Sequence, residues 1–308
     1  MERRKFLKTM GTGALSIAAG NALLASCGGN SGTTASSNEP TEQLPAFGTI
    51  TGSGGQWHPD GAIEGLKKLA EWGYKELEGG GGRGMTPEEM TEALNSLGLV
   101  RVIGSANIQS LIGDESALKT NLARALNIGQ KYVACYWPWP GEAGKTIDDW
   151  KVVAENLSRG GRICQSEGIQ LIYHNHDFEF YPIDGQIPFD VLLPALDPCV
   201  GIELDLYWIV KGGKSPVEYL KKYPGRYPVL HVKDMPADVK CGVSPTVFAD
   251  LTEKDFAPIG HGVIDFPEIF KTNSISGAKH FIVEADKPPG SIPEFLELSG
   301  KYLRELKF

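Results

Sequence analysis

Between residues 46 and 308 the chain alternates a short β-type run with a helical run, eight times over. The strand-like runs are FGTIT (47–51), YKELE (74–78), LVRVIGS (99–105), KYVACYW (131–137), IQLIYHNH (169–176), CVGIELD (199–205), YPVLHVKD (227–234) and KHFIVEAD (279–286). Segments with a helical period separate them, several with readable ends. Thr86 and Pro87 open one helix and Gly98 closes it, while Ser215 and Pro216 open another. The segment 146–168 reads as a helix interrupted at Gly160–Gly161. Strands that each return through a helix pair in parallel, and eight such units predict a single-domain (β/α)8 TIM barrel. A doubly wound open sheet is the alternative, but no GxGxxG follows the first strand. The glycine run at 79–82 is a weak sign of a phosphate loop.

The first 45 residues lie outside this pattern. Arg3 and Arg4 precede Phe6 and Leu7, as in a twin-arginine export signal. A modestly apolar run then leads to LASCGG, in which Cys27 follows small residues as in a bacterial lipobox. Residues 1–26 are therefore expected to be a cleaved signal, with a lipid on Cys27 as the membrane contact. Residues 27–45 are rich in Gly, Ser, Thr and Asn and read as a flexible tether. The expected location is periplasmic or outer-surface. Loss of the signal removes Arg3, Arg4, Lys5 and Lys8 against Glu2, leaving a domain more acidic than the formal −8 of the whole chain. Such a domain repels nucleic acid and favours a neutral or cationic small molecule. The five cysteines show no CxxC spacing.

Alternation along the strands sorts side chains by face. Val200, Ile202 and Leu204 should pack under helices, while Gly201, Glu203 and Asp205 point inward. By the same count Glu76, Glu78, Ile172, His174, His176, Val229, His231, Lys233, His280, Ile282 and Glu284 point inward. Barrel enzymes carry their chemistry at the C-terminal strand ends. Four consecutive strands bring His174 or His176, Asp205, His231 and Glu284 to that mouth. Two imidazoles and two carboxylates suit one divalent ion, Mn, Co, Zn, Fe or Mg. Taken singly, a strand-end His is more often structural and a strand-end Asp is often a helix cap. The agreement of four neighbouring strands is what favours the metal centre.

The motifs YHNHDFEF, ELDLYW, HVKDM, GHGVIDF and FIVEAD, in this order, resemble the xylose isomerase-like TIM barrels. These form the sugar phosphate isomerase/epimerase superfamily, and the likeness is to its exported bacterial branch. The resemblance implies one divalent ion held by Glu, Asp, His and Glu. Asp205, His231 and Glu284 match the last three places. His174 stands where the first Glu is expected, and a slight shift of alignment would put His176 there instead. The first Glu also serves the family as one of two acid–base groups, so its replacement argues against a symmetrical two-Glu epimerisation. The resemblance also implies that Glu179 binds sugar hydroxyls.

The expected chemistry is proton transfer next to a carbonyl on an unphosphorylated sugar or keto-sugar, as in an isomerase or epimerase. A lyase performing β-elimination on a 3-keto-glycoside is the alternative. A non-catalytic carbohydrate-binding lipoprotein is a further one. A nuclease is disfavoured by the acidic charge and by too few ligands for a multi-metal cluster. Candidate catalytic groups are His176, Glu78 and Glu284, with Lys233 placed to neutralise an oxyanion or to pair with Glu203 or Asp234. Trp57, Tyr136, Trp137, Trp139 and Trp208 fall near the predicted mouth, and Trp137 and Trp208 are the candidates for stacking on a sugar ring.

Overall fold

Eight parallel strands hydrogen-bond in chain order and the last pairs with the first, which closes the barrel. The computed structural model describes residues 42–51, 61–79, 85–139 and 144–308. The expected signal, Cys27, most of the expected tether, Trp57 and most of the glycine run lie outside the described residues. The strands are β1 (Gly48–Ile50), β2 (Glu76–Glu78), β3 (Val100–Ser105), β4 (Tyr132–Cys135), β5 (Gln170–His174), β6 (Gly201–Asp205), β7 (Val229–Val232) and β8 (His280–Val283). No helix among the described residues is long and apolar enough to cross a membrane.

The alternation of the sequence becomes two separate layers. Leu171, Tyr173, Ile202, Leu204, Leu230, Val232, Phe281 and Val283 join the large core between sheet and helices. Ile103, Ala134, Ile172, Val229 and Ile282 form a smaller apolar layer inside the barrel. At the N-terminal end His280 Nδ1 lies 2.9 Å from both Glu76 oxygens. Tyr132 packs edge-on against that imidazole. This pair fills the barrel interior at that end, below the apolar layer.

Local chemistry sets the helix limits. Thr86 accepts from Glu89 N–H while the Glu89 side chain accepts from Thr86 N–H, and Gly98 ends that helix in a left-handed conformation. Ser215 accepts from Glu218 N–H at the start of Pro216–Lys222. The helix Ile147–Ser166 is continuous, which corrects the expected break at Gly160–Gly161. Those glycines answer to packing. A Cβ on Gly160 would stand 2.9 Å from the Leu111 Cβ, and one on Gly161 would stand 2.5 Å from the Val200 Cγ2. The small faces let this helix lie close to its neighbours, at a propensity cost of about 1 kcal/mol per glycine.

Candidate metal centre and active site

Strand register brings the mouth residues together. In the β5–β6 pair His174 lies beside Glu203, and in the β6–β7 pair Asp205 lies beside His231. Glu284 follows the last residue of β8. His174, Asp205, His231 and Glu284 each offer one ligand atom, all within 4.8 Å of one another. His174 Nε2 and His231 Nδ1 are each 3.9 Å from Asp205 Oδ2. Ion–ligand bonds of about 2.0–2.3 Å place neighbouring ligand atoms roughly 3–4 Å apart, so this spacing fits one ion. His231 Nδ1 also lies 3.0 Å from Glu284 Oε2. Asp205 divides its labour: Oδ1 accepts from Trp208 N–H at 2.8 Å and caps the next helix, leaving Oδ2 toward the mouth. The helix-cap and ligand readings of this residue are thus compatible.

Lys233 is fully buried and carries the counter-charge. Its Nζ is 3.0 Å from Asp205 Oδ2, 2.8 Å from Glu284 Oε2 and 2.8 Å from Asp286 Oδ2. This corrects the expected partners Glu203 and Asp234. Burial pulls the Lys233 pKa down, but Asp205, Asp286 and Glu284 outweigh it and hold it well above the usual lysine range. Glu284 mirrors this: burial raises it, while Lys233 and His231 hold it well below the carboxylate range. Burial pushes Asp205 up to about 6 against the pull of Lys233 and His231.

A second polar layer lies beneath the ligands. His231 Nε2 is 2.9 Å from Glu78 Oε2, and Glu78 Oε1 accepts from the Tyr136 hydroxyl. Glu78 is fully buried. It supports His231 from below, which corrects its assignment as a substrate-facing base. Glu203 lies between the histidines, 3.3 Å from His174 Nδ1 and 3.2 Å from His231 Nε2. Burial opposes a charge on His231, but Glu203 and Glu78 hold its pKa well above the usual histidine range. Burial, with the neighbouring His231 and His176, holds His174 well below it.

His176 sits beside this centre in an aromatic box. Phe178 stacks on it at 5.4 Å, Trp137 and Phe248 meet it edge-on at 5.0 and 5.1 Å, and Trp208 lies at 5.8 Å. Its buried Nδ1 has no hydrogen-bond partner among the described residues. Burial, then the charge of Lys233, lower its pKa to about 3. Trp137 is 46% exposed and forms the outer rim. Trp208 is fully buried behind His176 and Lys233, whose Nζ stands 5.3 Å from its ring centroid. That position corrects Trp208 from a stacking platform to the wall behind the site. Trp139 packs on Trp150 at 4.5 Å.

Glu179 needs the same correction. It is fully buried, and both its oxygens accept from His176 N–H while Oε1 also accepts from the Tyr173 hydroxyl. Tyr173 belongs to the sheet–helix core, so Glu179 points away from the mouth. It fixes the bend that delivers His176. Asp177 does related work on the long segment after β7. Its Oδ2 accepts from Thr246 N–H at 2.9 Å and from the Thr246 hydroxyl at 2.6 Å. That clasp lies two residues from Phe248, which it helps to bring against His176.

Sequence reasoning left Asp286 without a role, although it follows Glu284 by two on the same face. It gave Glu203 an inward direction and an alternative pairing with Lys233, but no place beside the histidines. Phe178 and Phe248 were not legible, because neither lies on a strand and no periodicity aims a loop side chain.

Residues 66–305 match the family model of the xylose isomerase-like TIM barrel. The chain belongs to the xylose isomerase-like TIM-barrel family. Within the family it is 30% identical over 253 residues to an inosose dehydratase of Geobacillus kaustophilus, covering 73% of this chain and 80% of that protein. It is also 30% identical over 165 residues to an inosose dehydratase of Clostridium beijerinckii, spanning 51% of this chain and little more than half, 55%, of the relative. Among solved structures, a sugar phosphate isomerase/epimerase of Parabacteroides distasonis superposes with a TM-score of 0.66 at 26% identity, covering 83% of this chain and 92% of that one.

Proposed function

We propose that this chain is a divalent-metal-dependent lyase that removes water, or another β-substituent, from an unphosphorylated keto-polyol. The observation that carries the reading is the pairing, at one mouth, of a neutral imidazole with a buried ammonium beside four converging ligands. A divalent ion held by His174, Asp205, His231 and Glu284 would polarise a carbonyl or hydroxyl oxygen of the substrate. Binding it would release the proton shared between His231 Nδ1 and Glu284.

The chain's own groups supply the rest. Burial and Lys233 keep His176 neutral at pH 7. Its unpartnered Nδ1 is the atom to take the proton from the carbon next to the carbonyl, its basicity rising as negative charge grows on the substrate beside it. Lys233 keeps its proton, and its three N–H donors are held by Asp205, Glu284 and Asp286, so it acts through its charge on the oxygen where negative charge grows. Epimerisation calls for two comparable acid–base groups on opposite faces of one carbon. An imidazole and an ammonium are unlike groups, and elimination uses unlike groups. His176 takes the C–H proton and passes it to the departing β-oxygen, so that the C–H and C–O bonds broken yield a C=C bond and water, while Lys233 offsets the charge on the enolic oxygen. The inosose dehydratases among its relatives point the same way. Asp205, Glu284 and Asp286 are matched by Lys233 and a divalent ion, which leaves no surplus positive charge to hold a phosphate and favours an uncharged ligand. Trp137 offers an aromatic face for the C–H side of the ring. The N-terminal signal and Cys27 support placing this activity outside the cytoplasm on a lipid anchor.

The test is to incubate the metal-loaded protein with inososes and with 3-keto-glycosides and to follow product mass. Loss of one water, or release of an aglycone, is the expected result. Products of unchanged mass would replace the lyase with an isomerase, and no turnover of either class in the presence of bound metal would favour a binding protein.

A further inference from the structure

His174 stands where the family resemblance expects a carboxylate, and an imidazole in that place has a requirement a carboxylate lacks. A carboxylate offers lone pairs from either oxygen. A neutral imidazole offers one, and the tautomer decides which nitrogen holds it. His174 can serve this centre only with its proton on Nδ1, since Nε2 is the atom facing Asp205 Oδ2 at 3.9 Å. Something must therefore accept a hydrogen bond from Nδ1.

Glu203 is placed to do so. It is the cross-strand neighbour of His174 in the β5–β6 pair, and both side chains point into the barrel. Its Oε2 lies 3.3 Å from His174 Nδ1. Both residues are buried, so water does not offer an alternative acceptor. The other oxygen of Glu203 lies 3.2 Å from His231 Nε2, which already has Glu78 Oε2 at 2.9 Å. His231 thus has two carboxylates below it, whereas among the described residues His174 Nδ1 has only Glu203.

We propose that Glu203 is a positioning residue that fixes His174 as the Nδ1–H tautomer and so turns its Nε2 lone pair into the metal centre. The Glu203–His174 pair then replaces, as a unit, the single carboxylate expected at this place. This inference rests on the metal-centre reading above.

Glu203→Met and Glu203→Gln separate the pairing from mere space-filling. Both keep nearly the same volume, but only glutamine retains an oxygen that can accept from Nδ1–H. Two readouts apply to the full chain. Zinc or manganese titration should show affinity falling 10–100-fold in E203M and much less in E203Q, the range found when outer partners of ligating histidines are removed. Histidine 15N shifts of the metal-free protein should place the His174 proton on Nδ1 in the native chain and in E203Q, and move it in E203M. Wild-type affinity in E203M together with an unmoved tautomer overturns the proposal. So does an equal loss of affinity in E203Q and E203M with the tautomer unchanged in both, which would mark Glu203 as structural only. Absence of metal binding by the native chain would defeat the metal-centre reading instead, and the tautomer comparison would still decide the role of Glu203.

Discussion

His174 Nε2 and Asp205 Oδ2 face each other 3.9 Å apart, an imidazole nitrogen and a carboxylate oxygen set on adjacent strands with room for an ion between them. His231 Nδ1 stands the same distance from that oxygen. A divalent ion bound here should raise the melting temperature, because it binds the folded state alone. At a hundredfold excess over Kd the gain is about 2.7 kcal/mol. For a chain of this size that is roughly 5–10 °C. Asp205→Asn should remove most of the shift, and calorimetry with and without zinc or manganese checks it. An unchanged melting temperature at saturating metal would remove the centre.

Lys233 occupies the charge-balancing position that an ion partly shares. Replacing it by Met leaves Asp205, Glu284 and Asp286 without their common ammonium. Breaking a buried charge pair from one side costs about 3–5 kcal/mol. The expected result is a K233M protein that is much less stable than the native chain without metal and recovers part of the deficit with it. Turnover should fall about 100- to 1,000-fold even when metal is saturating, the usual loss when one group that stabilises the oxyanion is removed. Equal stability losses with and without metal would mean that Lys233 and the ion do not share the same carboxylates.

Much of this architecture was readable before any coordinates. Alternation in VGIELD and PVLHVKD placed Asp205 and His231 on one face because a strand's side-chain period is two, and register did the rest. Ion pairing was less legible. Lys233 was expected near Glu203 or Asp234 and instead reaches across to β8, since a long side chain is not tied to its strand neighbour. Glu179 failed for a related reason. It lies in a single helical turn after β5, where no period fixes direction, and it turns back onto Tyr173. The glycines at 160 and 161 suggested a break because propensity was weighed without the tight packing that selects them.

Glu179 gives a pH prediction with a definite sign. Burial raises its carboxyl to about 8, above its ordinary value. Between that ordinary value and about 8 the folded chain holds a proton that the unfolded chain has lost. The stabilisation is therefore complete at low pH and declines as pH rises through this window, by about 1.4 kcal/mol per pH unit for one group. Glu179→Gln carries a fixed neutral amide, so the stability difference between it and the native chain should change steadily from pH 5 to 8 in the variant's favour. Denaturant titrations of both proteins across that range measure it. A pH-independent difference would mean that the carboxylate is ionised throughout.

Trp137 tests whether the rim meets substrate. It is 46% exposed, yet it makes edge contacts with His176, Phe178 and Phe248 at 5.0, 5.4 and 5.6 Å. Loss of these ring contacts on truncation should cost roughly 1–3 kcal/mol of stability, short of unfolding the barrel. If the ring packs on the substrate equally before and during reaction, Trp137→Ala should raise KM, with only a small fall in kcat from its lost contact with His176. An aromatic contact of about 0.5–1.5 kcal/mol corresponds to roughly a 2- to 12-fold rise. Trp137 and Phe248 both meet His176 edge-on, but Phe248 also packs on the buried Trp208 at 5.2 Å, so Phe248→Ala should lower kcat more as the imidazole gains freedom. Steady-state kinetics of both variants on one keto-polyol distinguish the roles. A kcat defect in W137A equal to that in F248A would show that the rim acts only by holding His176, and that the sugar-facing surface lies elsewhere in the mouth.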